Sequence, residues 1–284
     1  RVAGQNATRH VRLVKGSHMV VPKFWEGRQA YLIQNHDKRV IFVNPYQNDL
    51  ALIGTTDIPY EGRPEEVTAD GSEIDYLIKV VNRYFKRQLT QDDVVYSFSG
   101  VRPLYDDNAD NPSAVTRDYI FELDAPNGAA PLLSVFGGKI TTFRKLAEHA
   151  LEKLQPFFPE MKKGWTAKAT LPGGNLPNAD FEQFLSDLHT EFPWLSPSLL
   201  KHYARSYGTR ARKLLAGVAG EADLGRRFGP DFYEREARFL VGTEWARTAA
   251  DILERRTKHG LHLDAAERKA FEEWMEGLTV ETAL

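Results

Sequence analysis

The spacing of apolar residues changes once along this 284-residue chain, and that change limits what it can fold into. From Arg9 to about Phe136 apolar residues come at the period of strands; after Gly138 they recur every three or four residues, as on helices. In the first part, "HVRLVKGSHMVVPKF", "AYLIQN", "RVIFVNPY", "DLALIGTTD", "DVVYSFSGVRPL", "DYIFELD" and "PLLSVF" are short and rich in Val, Ile, Phe and Tyr. Bounded by Gly, Pro, Asn and Asp, they predict about seven strands. One helix interrupts them: Ile74, Leu77, Ile78, Val81, Tyr84 and Phe85 fall three and four apart, behind a start containing Asp70, Ser72 and Glu73. Short turns favour antiparallel pairing, so the fold class read here is α+β, a largely antiparallel or mixed sheet with a helix on one face.

Past Gly138, residues Phe143, Leu146, Ala150, Leu151 and Leu154 make one helical face. Prolines and glycines in "QPFFPEMKKGW" and "TLPGGNLPNAD" break the pattern, and helices are expected over 180–191, 196–206, 209–218, 231–240, 243–256 and 264–276. The chain therefore divides into a sheet domain, 1–158, closing with a strand, loop and helix over 136–155, and an all-α C-terminal domain, 159–284.

At the change of period stands "SVFGGKITTFRKLAEH". A strand ending at Phe136, Gly137 and Gly138, then Lys139, Ile140 and Thr141 opening a helix would aim free N–H groups and the positive dipole end at one point, where an anion is favoured. An ordinary tight turn reads the same residues equally well. The loop is not a Walker A motif, and no G-x-G-x-x-G occurs in the chain.

Arg102 in "SGVRPLYDD" and Arg117 in "AVTRDYIF" stand at strand ends, placements that suit a phosphate or carboxylate; Arg102 is also open to pairing with Asp106 or Asp107. His18 stands on a strand among apolar neighbours. It is either a packed core histidine or the best proton acceptor near neutral pH. No metal is expected: counted from Asp106, the acidic run has Asn111 sixth and Arg117 twelfth, against a calcium loop, and "HGLH" at 259–262 has no third ligand nearby.

With Lys+Arg 37 against Asp+Glu 39, formal charge is −2, so no overall field pulls the chain onto nucleic acid or lipid. The basic stretches "RSYGTRARK", "GRRF" and "ERRTKHG" are interleaved with acids and read as a solvated, salt-bridged face. Absence of cysteine removes disulfides and thiolate chemistry and fits a reducing compartment. No run approaches the ~18 apolar residues of a spanning helix. The start at Arg1 resembles neither a signal nor a transit peptide, and the chain is expected to be a C-terminal piece of something longer.

Taken in order, "VRLVKGSHMVVP", "LIGTTDIPYEG", "SFSGVRPL", "TRDY", "VFGGKITTFRKLAE" and "EARFLVGTEWARTAADILERRT" resemble the FAD-dependent, aerobic-type glycerol-3-phosphate dehydrogenases. The likeness runs over essentially the whole chain and lacks only that family's N-terminal dinucleotide fingerprint. It implies oxidation of sn-glycerol 3-phosphate to dihydroxyacetone phosphate, hydride transfer to FAD, and reoxidation by quinone. It also implies a homodimer lying peripherally on the cytoplasmic face of a membrane, with the C-terminal helices as a cap.

By resemblance His18 is the active-site histidine, Arg102 and Arg117 hold the phosphate, and Gly137, Gly138, Lys139, Ile140 and Thr141 form the flavin-contacting loop. Lys139 faces either flavin or substrate. Without the fingerprint, the chain alone is expected to bind FAD weakly or not at all and to be inactive. Two alternatives stand beside this reading: an oxidase of the same family passing electrons to oxygen, and a non-catalytic module whose basic helices bind nucleic acid or lipid.

Overall fold

A computed structural model describes residues 10–105, 118–125 and 129–278. The chain forms two compact units, Arg1–Lys168 and Ala169–Leu284. The division falls beyond the expected 158–159. Thr166 is the reason: it accepts from Arg144 Nη1 (3.1 Å) and donates to Glu148, so the segment after the expected boundary is bonded back to the helix before it.

In the first unit, β1 (Val11–Pro22), β2 (Tyr31–Gln34), β3 (Val40–Tyr46), β4 (Leu50–Gly54) and β5 (Ile58–Pro59) precede α1 (Gly71–Tyr84), and β6 (Tyr96–Tyr105) follows it. They form one antiparallel sheet in the order β2-β3-β4-β1-β5, with β6 along the other side of β1. Five of the seven expected strands are here, and β5 is a further, two-residue strand. The remaining two, β7 (Tyr119–Asp124) and β8 (Leu132–Gly137), pair as a hairpin leading to α2 (Phe143–Leu154).

Alternation along β1 splits the sheet into two faces. Met19 and Val21 lie with Ile41, Val43, Ala51 and Ile53 against Leu77, Ile78, Val80 and Val81 of α1, forming a dry core. The helix starts at a capping box: the Asp70 carboxylate accepts from Glu73 N (3.1 Å), and Glu73 Oε2 accepts from Asp70 N (3.2 Å).

Glu73 does more than cap. It is 2% exposed and accepts from Ser17 Oγ (2.7 Å) and Thr56 Oγ1 (2.7 Å), with Lys15 Nζ 2.6 Å from its other oxygen. Ser17 Oγ also lies 2.6 Å from Ser99 Oγ on β6. A buried carboxylate is tolerated because each of its oxygens is partnered.

The second unit is mostly helical: α3 (Phe181–Glu191), α4 (Pro197–Tyr207), α5 (Ala211–Leu214), α6 (Glu234–Thr243) and α7 (Ala265–Glu276). Two readings are corrected. The unit is not all-α, since β9 (Arg227–Gly229) pairs with β10 (Phe232–Tyr233) where helix was expected to start at 231. Nor does a helix run from 243. Trp245 has φ +57°, the Asp251 carboxylate accepts from Arg247 N and Thr248 N, and a π-helix follows over Asp251–Arg256.

Glu236, fully buried in this unit, receives His202 Nε2 (2.6 Å), His259 Nε2 (3.1 Å) and the Tyr207 hydroxyl. Burial alone would push its carboxyl up, but the charges and hydrogen bonds of His202 and His259 outweigh burial and hold it well below the carboxylate range. Burial opposes charge on His202 too, and the Glu236 carboxylate overcomes it and raises the imidazole. Stability from Glu236 is present above its ordinary 4.5 and lost as pH falls through its lowered value. That from His202 is present below 6.5 and lost as pH rises through its raised value.

The thermal midpoint, followed by tryptophan emission, should therefore be highest between pH 4.5 and 6.5 and fall on both sides; Glu236→Gln should flatten the profile. Glu73→Ala, which strands Lys15, Ser17 and Thr56, should cost about 3–5 kcal/mol in urea unfolding, and Glu73→Gln less.

Candidate active site

The face of the sheet turned away from α1 carries the candidate residues His18 and Arg102. Register aligns His18 with Gly54 on β4 and Phe98 on β6, and Gly54 with Phe42 on β3. Two residues along β1, Gly16 is aligned with Gly100, and beyond them Val14 with Arg102. Period-two alternation thus sets His18, the glycine pair and Arg102 in one row. Leu32, Phe42, Tyr96 and Phe98 on the same face are exposed, in contrast to the dry core opposite.

His18 is seated by its neighbours. Its imidazole stacks on Phe98 with centroids 5.1 Å apart and planes 7° from parallel. It also lies flat over Gly54, where an added Cβ would come within 2.7 Å of His18 Cγ and Nε2. The "LIGTTD" glycine is therefore the residue that makes room for the ring. Among the described residues, His18 Nδ1 is buried without a hydrogen-bond partner, so no protein group fixes the ring's tautomer. Burial, and then the charge of Arg102, lower the imidazole below its ordinary value of 6.5. His18 is thus neutral at physiological pH and able to accept a proton.

Arg102 crosses the bare backbone of Gly16. A Cβ there would lie 2.6 Å from Arg102 Nη2 and 2.7 Å from Thr55 Oγ1. The guanidinium donates to the Asp57 carboxylate through Nη1 and to Thr55 Oγ1 (3.3 Å) through Nη2. Arg102 thus pairs with Asp57; Asp106 and Asp107, the acids that the sequence offered, lie with Arg117 outside the described residues. A guanidinium has five N–H donors, so these two bonds leave others for a ligand. Asp57 and Thr55 went unnoticed in the sequence. Their only signal was the polar run after the β4 glycine.

The glycine loop is built as a strand-to-helix turn. Gly137 and Gly138 take φ +73° and +97°, conformations that cost other residues, and a Cβ on Gly137 would meet Asp118 O at 2.9 Å. The chain itself thus requires Gly137. A turn over Ile140–Thr142, with Thr142 N bonded to Lys139 O (3.1 Å), leads directly into α2. Amides of Ile140 and Thr141, at the first turn, have no acceptor within the helix. Lys139 is exposed, as is Ile140 at 89%, and among the described residues the Lys139 ammonium has no ion pair. This open, donor-rich end fits the electron-rich edge of a flavin ring; a place for the dinucleotide's phosphates is not among these residues.

Of the sequence-predicted residues, His18 and Arg102 are brought together, close enough for one charge to act on the other. Gly137 to Thr141 form the loop as expected in shape, with no direct bond to either. His259, read as lacking a third ligand, does join His202 and Glu236, their ligand atoms all within 4.8 Å of one another. Separations of 34 and 23 residues hid that cluster. His202 Nε2 and Glu236 Oε1 at 2.6 Å are hydrogen-bonded, closer than the edge of about 3.3 Å that tetrahedral zinc imposes on its ligands, so the cluster is built as an ion-pair network.

Family models match both parts of the chain: "FAD dependent oxidoreductase" over residues 1–144 and "C-terminal domain of alpha-glycerophosphate oxidase" over residues 165–282. The D-erythritol 1-phosphate dehydrogenase of Brucella abortus (strain 2308) is 61% identical over 275 residues, 97% of this chain and 55% of that protein. The aerobic glycerol-3-phosphate dehydrogenase of Escherichia coli (strain K12) is 49% identical over 265 residues, 93% of this chain and 53% of that protein. The chain thus spans about half the length of these curated relatives. Its fold is that of the glycerol-3-phosphate dehydrogenase from Bacillus halodurans solved with FAD: TM-score 0.71 and 23% identity, over 95% of this chain and 57% of that one. With its α+β sheet unit and its helical unit each matched, the chain belongs to the FAD dependent oxidoreductase family, in the branch that carries the glycerophosphate oxidase C-terminal domain.

Proposed function

We propose that this chain is the substrate-binding part of an FAD-dependent dehydrogenase acting on a short polyol phosphate: sn-glycerol 3-phosphate, oxidised to dihydroxyacetone phosphate, or a four-carbon homologue oxidised in the same way. The observation that carries this reading is the row His18, Gly16–Gly100, Arg102 on one sheet face, a neutral base beside a clamped cation. The names of the two relatives support the substrate class, since both describe a polyol phosphate.

In this reading Arg102, with Arg117, holds the phosphate dianion through charge-assisted hydrogen bonds. His18 accepts the hydroxyl proton of the neighbouring carbinol as hydride leaves the same carbon, so alkoxide never has to form free. FAD, when bound, supplies the hydride acceptor, and its reoxidation by quinone completes turnover. Amides of Ile140 and Thr141, behind Gly137 and Gly138 and beside Lys139, hold the flavin edge where negative charge collects on reduction. Peripheral attachment to the cytoplasmic face of a membrane and a homodimer belong to the same proposal; among the described residues no helix is long and apolar enough to cross a membrane. Lacking a G-x-G-x-x-G, the 284 residues alone hold FAD weakly and turn over no substrate.

A yellow preparation of this chain with stoichiometric FAD would overturn that last point. In the FAD-loaded enzyme that carries this chain, His18→Ala should lower kcat by about 10²–10⁴, whereas Arg102→Ala should raise KM by about 10- to 100-fold; wild-type kinetics in either variant removes that residue from the site. Peroxide formed in step with substrate oxidation would assign the enzyme as an oxidase. By NMR the His18 imidazole should titrate below 6.5, and Arg102→Ala should move the midpoint upward.

A further inference from the structure

Between His18 and Arg102 the facing positions of β1 and β6 on the outer side of the sheet are both glycines. Gly16 and Gly100 are direct partners across β1 and β6, and both point their missing Cβ atoms to that face. The two glycines are not equivalent. Gly16 is buried, and a Cβ there would strike Arg102 Nη2 and Thr55 Oγ1, so its bareness seats the guanidinium. Gly100 is exposed, and a Cβ there would meet nothing within 4 Å. Nothing in the fold of the described residues explains why position 100 lacks a side chain, on a strand where a β-branched residue would be favoured. A glycine in a strand interior otherwise weakens the strand.

The notch is closed at both ends by fixed groups. At one end Asp57 and Thr55 pin Arg102 flat over Gly16. At the other, Phe98 and the bare Gly54 hold the His18 ring. Its length is two residues of strand, about 6.8 Å, a span that a phosphate and one methylene can fill. On the far side of His18 the face continues as exposed Phe42, Tyr96 and Phe98, and the next row of the register carries Asn44 beside Leu52 and Val20.

We infer that Gly100 is the floor of a seat for the phosphomethyl group, which sets the carbinol next to the phosphate-bearing carbon against His18. This rests on the reading of His18 and Arg102 given above. The seat recognises a chemical class, polyol 1-phosphates with a free adjacent hydroxyl. It measures from the phosphate, the end that three- and four-carbon members share.

Phosphorus NMR titration of the chain with sn-glycerol 3-phosphate, erythritol phosphate and inorganic phosphate tests the seat, using Gly100→Ala and Gly100→Val. The open space at position 100 predicts thermal midpoints close to the parent's for both variants. Valine should fill the notch and weaken both phosphopolyols about tenfold or more, alanine less. Inorganic phosphate, which needs Arg102 and Arg117 but not the notch, should change by less than about threefold. Unchanged phosphopolyol affinity in Gly100→Val overturns the inference, and so does a loss matched by inorganic phosphate. Selective loss of the four-carbon compound overturns it as well, since Gly100 would then gate total length. A parent chain indifferent to every phosphate overturns the reading of Arg102 itself, and the seat with it.

Discussion

One buried carboxylate organises the sheet unit. Glu73 sits at the first turn of α1, on the side of the sheet opposite the proposed chemistry, and its hydrogen bonds reach three segments. Through Ser17 it fixes β1 between Gly16 and His18, and through Ser17 and Ser99 it reaches β6 between Phe98 and Gly100. Through Thr56 it fixes the connection that presents Thr55 and Asp57 to Arg102. Side chains of Ser17, Thr56 and Ser99 thus belong to the core, while their immediate neighbours face outward. Removing a charge from water is costly, so such a hub holds only while every partner is present. The result is a site whose pieces share one anchor, and the anchor touches none of the reacting atoms.

Much of this architecture was legible. Runs of β-branched and aromatic residues between turn formers gave away seven strands, and the Asp70–Glu73 spacing marked the start of α1. What stayed hidden were contacts between residues far apart in sequence. Arg102 pairs with Asp57, 45 residues away. Glu73 announced itself as a helix cap, and its second role needed Lys15, an odd residue for an apolar strand, to be read as its partner. Gly54 and Gly16 carried no signal of their own within their strands; only the fold shows that they clear space for a ring and a guanidinium.

In the helical unit the misread helix from 243 has a local cause. The pattern "GTEWARTAADILERR" has helical period, yet Asp251 bonds backward to the amides of Arg247 and Thr248 and breaks the helix before it. Side chains that compete for backbone donors override periodicity over a few residues. Likewise the Glu236 network is assembled from α4, α6 and the turn at His259, and no local spacing encodes it. Period finds elements well; it does not find what their polar residues do with each other.

The strict alternation along β1 has a consequence for how this protein can change over evolutionary time. Ser17 and His18, adjacent in sequence, serve opposite faces: one is wired to Glu73, the other stacked on Phe98. Insertion or deletion of a single residue in this strand would exchange the two faces at a stroke, exposing the anchor and burying the imidazole. Substitutions on the outer face, by contrast, leave the anchor untouched. The lineage of this domain is therefore free to vary its chemistry residue by residue but locked in the length of β1, so new substrates are reached by changing letters and never by changing count.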